Sequence, residues 1–138
     1  MALTSSDVHP GDEAPVLTHT LTRTDLVRYA GASGDYNPMH HDEVKATAAG
    51  QPSVFGHGMF SMGLLGTAIT AYVGLGTLRT YQVRFVRQTW PDEQLSTRIV
   101  VRDVRRHDDE TVIDLDVSLV NQAGEVKVAG AATAALPG

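Results

Sequence analysis

A chain of 138 residues, 42% apolar and carrying 11 Lys+Arg against 16 Asp+Glu, is the size of one domain and can bury roughly two-thirds of the surface its unfolded form exposes. Its net charge of −5, with no basic run longer than Arg105-Arg106, excludes the electrostatic footprint of a nucleic-acid binder. With no cysteine there is no disulfide frame, thiolate nucleophile or cysteine metal site, and residues 1–9 have neither region of a signal peptide, so a cytoplasmic location is expected.

No internal repeat or low-complexity linker interrupts the chain, which predicts a single domain over 1–138, with residues 1 to about 13 polar and loosely ordered. Val16, Thr18 and Thr20 alternate with Leu17, His19 and Leu21 as a first strand. Thr22 and Asp25 have capping-box spacing, with Asp in place of Glu, ahead of a short helix from Asp25 to Ala32. Gly34 to Pro38 break that helix. A second short helix over 42–49 has acids at its start and Gly50 as its stop.

Between Lys45 and Arg79 there is no Asp, Glu, Lys or Arg. The continuous apolar part is only Met59 to Val73, short of the ~20 residues that span a bilayer, so it reads as a buried core helix over 58–73. It is apolar on every side, which predicts enclosure by a sheet that curls about it. After Gly74-Leu75-Gly76 the period becomes two, in runs around Tyr81–Val86, Leu95–Val101, Ile113–Leu119 and Val126–Val128, with a turn at Asn121–Gly124. The expected class is α+β: one strand, helices, a long central helix, then four meandering antiparallel strands.

Chemistry concentrates in Ser33-Gly34-Asp35-Tyr36-Asn37-Pro38-Met39-His40. A carboxylate anion and an imidazole that switches near neutrality, held on one kinked loop, can share a water and move its protons. The structural alternative is that Asp35 caps a turn and His40 caps the next helix. Asn37 before Pro38 tightens the loop or holds a substrate carbonyl. Gly56-His57-Gly58 opens the core helix, where free amides carry partial positive charge suited to a developing oxyanion. His40, His41, Asp42 and His57 could be read as metal ligands. Adjacent histidines point apart, however, and no His-Glu-x-x-His spacing exists, so no metal or other cofactor is expected. Ser33 and Ser61 lie in no nucleophile elbow. The strand arginines, Arg84 and Arg87 among them, are solvated charges by default, with carrier phosphates as the other use.

The blocks Tyr29–His40, Gly56–Gly63 and Tyr81–Phe85 resemble, in order, the motifs of the MaoC-like (R)-specific enoyl-thioester hydratase and dehydratase family of hotdog folds. Within it, they are similar to the catalytic subunits of (3R)-hydroxyacyl-carrier-protein dehydratases. The resemblance implies a hotdog domain: a five-stranded antiparallel sheet wrapped around the long helix, in homodimers or heterodimers with a second hotdog subunit. It implies Asp35 and His40 as catalytic residues and the Gly58 amide as oxyanion donor. Asn37, Tyr36 and His57 follow as loop-supporting or substrate-contacting residues, Tyr36 as one that narrows an acyl tunnel. The implied reaction is reversible hydration of a trans-2-enoyl thioester of coenzyme A or acyl carrier protein to the (3R)-hydroxyacyl thioester. A hotdog thioesterase and a non-catalytic acyl-binding subunit are the alternatives.

Overall fold

Local signals set the helices. The structure, a computed structural model, describes residues 3–137. A short strand β1 (Thr18–Thr20) leads into α1 (Arg23–Ser33). The Thr22 hydroxyl accepts from the Asp25 amide at 3.0 Å while the Asp25 carboxylate accepts from the Thr22 amide at 2.9 Å, so the capping box is closed in both directions. Gly34, at φ +77°, ends the helix. A single 3₁₀ turn (Pro38–His40) and α2 (Glu43–Ala48, capped by Asp42) follow, then the long helix α3 (Gly58–Val73).

Strands β2 (Leu78–Phe85), β3 (Gln94–His107), β4 (Glu110–Val120) and β5 (Val126–Leu136) complete one five-stranded antiparallel sheet in the order β1-β3-β4-β5-β2. The expected architecture is present, with one correction to the meander. Only β3, β4 and β5 follow it, whereas β2 pairs with β5 on the far edge. Residues 86–93 therefore cross from one edge of the sheet toward the other, and the crossing is tied at both ends. Val86 and Arg87 donate to the Lys127 carbonyl, and Leu21 exchanges backbone bonds with Asp92 and Glu93.

The core lies between α3 and the concave face of the sheet: Leu65, Ile69 and Val73 meet Leu95, Ile99, Leu115 and Leu119, all at most 2% exposed. Each such side chain contributes about 1.5–3 kcal/mol by leaving water. The helix is not enclosed on every side, as its composition suggested. Met59, Gly63, Thr67 and Ala71, successive at i+4, face outward in the single chain, and apart from Met59 they are small. The loose N-terminus is corrected as well. Val8 and Ala14 are buried, Gly11 donates to the Val101 carbonyl at 2.7 Å, and Ala14 donates to the Ile99 carbonyl at 3.0 Å. β1 covers only three residues of β3, so the segment before it satisfies the ladder groups left free beyond. Residues 1 and 2 lie outside the described residues. No helix among the described residues is long and apolar enough to cross a membrane.

One buried cluster fixes the crossing segment. Lys127, 1% exposed, places Nζ 2.9 Å from the Gln88 carbonyl, 2.9 Å from Glu93 and 3.2 Å from Glu125. Asn121 donates to the same Glu93 carboxylate at 2.7 Å. An ammonium this deep needs all of those acceptors to offset its lost hydration.

Candidate active site

The Gly34–Pro38 break brings Asp35 and His40 onto one side of a tight loop. Asp35 uses one oxygen structurally: Oδ1 accepts from the Asn37 amide at 3.2 Å. Asn37 in turn accepts from the Met39 amide at 3.1 Å, which caps the 3₁₀ turn. That leaves Oδ2 facing His40 Nε2 at 3.8 Å. His40 is buried, and its Nδ1 lies 2.6 Å from the Phe55 carbonyl. A carbonyl only accepts, so Nδ1 carries the proton, and in the neutral ring Nε2 is a free lone pair aimed toward Asp35. His40 caps nothing, since Asp42 itself caps α2. The turn-capping role of Asp35 and its position opposite His40 coexist, one oxygen to each.

His57 stacks on His40, with ring centroids 3.9 Å apart and planes inclined by 26°. Its Nε2 donates to the Asp35 carbonyl at 3.2 Å, and Tyr29 packs edge-on against it. Burial pushes the His57 imidazole below its ordinary value of 6.5, and the neighbouring His40 acts the same way against the opposing bond to Asp35. A base held below its unfolded pKa binds fewer protons when folded, so its share of stability is present above that value and is lost as pH falls through it. The melting temperature is therefore expected to fall between about pH 7.5 and about pH 5, and His57→Gln, whose amide keeps the donor, is expected to fall less steeply. Parallel pH profiles for the two proteins would contradict this.

Asp35, His40 and His57 each offer a ligand atom within 4.8 Å of the others. Near-parallel stacked imidazoles send their in-plane lone pairs along neighbouring lines instead of to one point, and His57 Nε2 already serves the loop. The trio suits proton transfer better than a tetrahedral cation.

His57 is also the N-cap residue of α3, and it makes no side-chain capping bond. The first intrahelical bond runs from the Ser61 amide to the His57 carbonyl, so the amides of Gly58, Met59 and Phe60 precede the ladder. Gly58 opens onto a cavity of about 390 Å³ that His40 also lines. Its opposite wall is Phe85 to Thr89, with Val128 behind. The Phe85 ring lies 3.2 Å from where a Cβ on Gly58 would stand, so glycine keeps that amide accessible.

Asp35, His40, His57, Asn37 and Gly58 thus come together. Tyr36 does not join the wall. The residue is 64% exposed, and its carbonyl accepts from His41 Nε2 at 3.1 Å. Three features were missed from sequence: the Phe55 carbonyl that orients His40, the Tyr29 edge on His57, and the 85–89 wall. Of these, Tyr29 and Phe85 lay in recognised blocks, though neither carried a site signal there.

Residues 8–123 match the family described as "MaoC like domain". The chain belongs to that family. In its structure this MaoC-like chain resembles the unliganded R-hydratase PhaJ1 of Pseudomonas aeruginosa, with a TM-score of 0.84 and 28% identity over 99% of this chain and 86% of that one. In sequence it is 38% identical over 82 residues to 3-hydroxyacyl-thioester dehydratase Y of Mycobacterium tuberculosis, covering 56% of this chain and 28% of that protein. It is 36% identical over 76 residues to the peroxisomal enoyl-CoA hydratase 2 of Arabidopsis thaliana, covering 53% and 25%. The MaoC-like chain thus spans roughly a quarter of these two curated relatives, at 28% and 25% of their lengths.

Proposed function

We propose that this protein adds water reversibly across the double bond of a trans-2-enoyl thioester, giving the (3R)-hydroxyacyl thioester. The observation that carries the reading is the 3.8 Å gap between Asp35 Oδ2 and His40 Nε2, beside a cavity entered by the uncapped start of α3. That gap is too long for a direct hydrogen bond and suits one water donating to both atoms at about 2.8 Å. Family membership and the likeness to an R-hydratase and a dehydratase support the same chemistry.

In the forward direction the water oxygen bonds to C3 as its proton passes to the Asp35–His40 pair. The C2–C3 π electrons move toward the thioester oxygen, whose developing charge the Gly58 amide stabilises. Loss of a comparable donor costs about 10²–10³ in rate. Collapse of the enolate then takes a proton from His40 at C2, so the atoms of one water are added and the pair returns to its starting state. Asn37 and His57 hold the loop, and the reaction needs no metal or redox cofactor.

Phe85 and Val86, which line this cavity, and Met59, next to Gly58 on α3, are each about half exposed, and β2 is an edge strand. A second hotdog subunit, a copy or a related partner, against that edge would cover them. The substrate is the acyl thioester of coenzyme A or acyl carrier protein, and the cytoplasm is the compartment proposed for this chain.

Purified chain mixed with crotonyl-CoA is expected to consume the enone absorbance and yield only the (3R) product. Release of free thiol with the enone intact would replace the reading with a thioesterase. Inactivity that is relieved only by a partner carrying its own Asp–His pair would replace it with an acyl-binding subunit.

A further inference from the structure

Reading the cavity beside Asp35 and His40 as a thioester site leaves the rest of the carrier unplaced. A thioester carbonyl held by the Gly58 amide has residues 85–89, which line the same cavity, as a path for its pantetheine arm. Every natural carrier of such a thioester, nucleotide or protein, has a phosphate at the end of that arm. The wall contains one permanently charged side chain, Arg87, and it is exposed.

Three features together single out Arg87. Arg23, Arg79, Arg102 and Arg105 each pair with an acid, whereas Arg87, like Arg28, Arg84, Arg98 and Arg106, makes no ion pair among the described residues of a chain with net charge −5, and of these five only Arg87 lines the cavity. Its backbone is fixed, since its amide donates to the Lys127 carbonyl at 3.2 Å and the next carbonyl accepts from the buried Lys127 ammonium. Arg84, three residues earlier, lies in a separate depression with Gln82, Ala129 and Ala131, so the cation at the cavity is Arg87. A guanidinium on a clamped segment binds a phosphate through two parallel N–H donors and loses little order in doing so.

We infer that Arg87 is the binding residue for the phosphate that terminates the pantetheine arm, and so selects phosphorylated carriers over bare pantetheine thioesters. The shared group is the phosphoester on the arm, common to coenzyme A and to acyl carrier protein. The adenosine end is not required.

Two measurements test this. Equilibrium binding of 4′-phosphopantetheine and of pantetheine to the wild type is expected to favour the phosphorylated compound about tenfold, a preference that rising salt weakens. R87A should remove most of that preference and R87K should restore part of it. In kinetics, R87A should lower the ratio of kcat/KM for crotonyl-phosphopantetheine over crotonyl-pantetheine by about the same factor. Parallel arms with crotonyl-CoA and a crotonyl acyl carrier protein identify the carrier seated there as the one whose KM rises in R87A. Equal losses with phosphorylated and bare arms, or a loss with crotonyl-CoA and none with crotonyl-phosphopantetheine, overturn the inference. So does an R87A protein that keeps the wild-type preference. Failure of the wild type to hydrate any crotonyl thioester counts against the reaction and leaves the binding comparison to decide the role of Arg87.

Discussion

Asp35→Asn is expected to cut kcat for crotonyl-CoA hydration by about 10³-fold and to leave the fold intact. The asparagine keeps an Oδ1 that can accept from the Asn37 amide, so the turn loses nothing, and the side chain is half exposed already. What disappears is the anionic Oδ2 facing His40. His40→Asn is the matching change. Its amide nitrogen can reach the Phe55 carbonyl that Nδ1 now holds, while no atom replaces Nε2. Because both groups act on one water, the double variant should cost little more than the worse single one, as members of one catalytic unit do. Wild-type turnover in either single variant would sink the assignment, and losses that multiply would separate the two residues into independent roles. Circular dichroism and melting curves on all three proteins distinguish this from unfolding.

The parts of the molecule legible in sequence are those written by neighbours along the chain. Thr22 with Asp25 announced the closed capping box, and His57-Gly58 with Gly74 bracketed α3 at the observed ends. Asp35 and His40 were readable because only four residues join them, with the Asn37-Pro38 turn in their middle. The unreadable parts depend on partners distant in the chain. β5 runs to Leu136 through an alanine-rich stretch of low strand propensity, held by β4 and β2 on either side. β3 continues to His107 in a polar hairpin beyond the core, where no apolar alternation survives. Its pairing with β4 decides that, and pairing is a tertiary fact. The placement of β2 against β5 brings the 85–89 wall to the Asp35–His40 loop, which is why that wall carried no sequence signal as part of a site.

That placement rests on one residue. Gly130 of β5 stands opposite Val83 of β2 and Val117 of β4. A Cβ there would lie 2.0 Å from the Gln82 carbonyl oxygen, 2.8 Å from the Val83 Cα and 2.9 Å from the Gln82 carbonyl carbon. All three are backbone atoms in the ladder, so nothing can swing aside as the half-exposed Phe85 ring can beside Gly58. Gly130→Ala must therefore push β2 off β5. Overpacking typically costs about 1–3 kcal/mol, and a backbone obstacle belongs at the upper end, which for a domain of this size lowers Tm by about 10 °C. Hydration should fall with it even below the melting range, because β2 carries Phe85 and leads into Arg87. Gly31→Ala is the internal contrast. It sits in α1 with nothing within 4 Å of its added Cβ, so it should gain about 0.5–1 kcal/mol from reduced backbone freedom. The same chemical change is thus expected to have opposite signs at two sites, and a Gly130→Ala protein that melts with the wild type would show that β2 is free to shift.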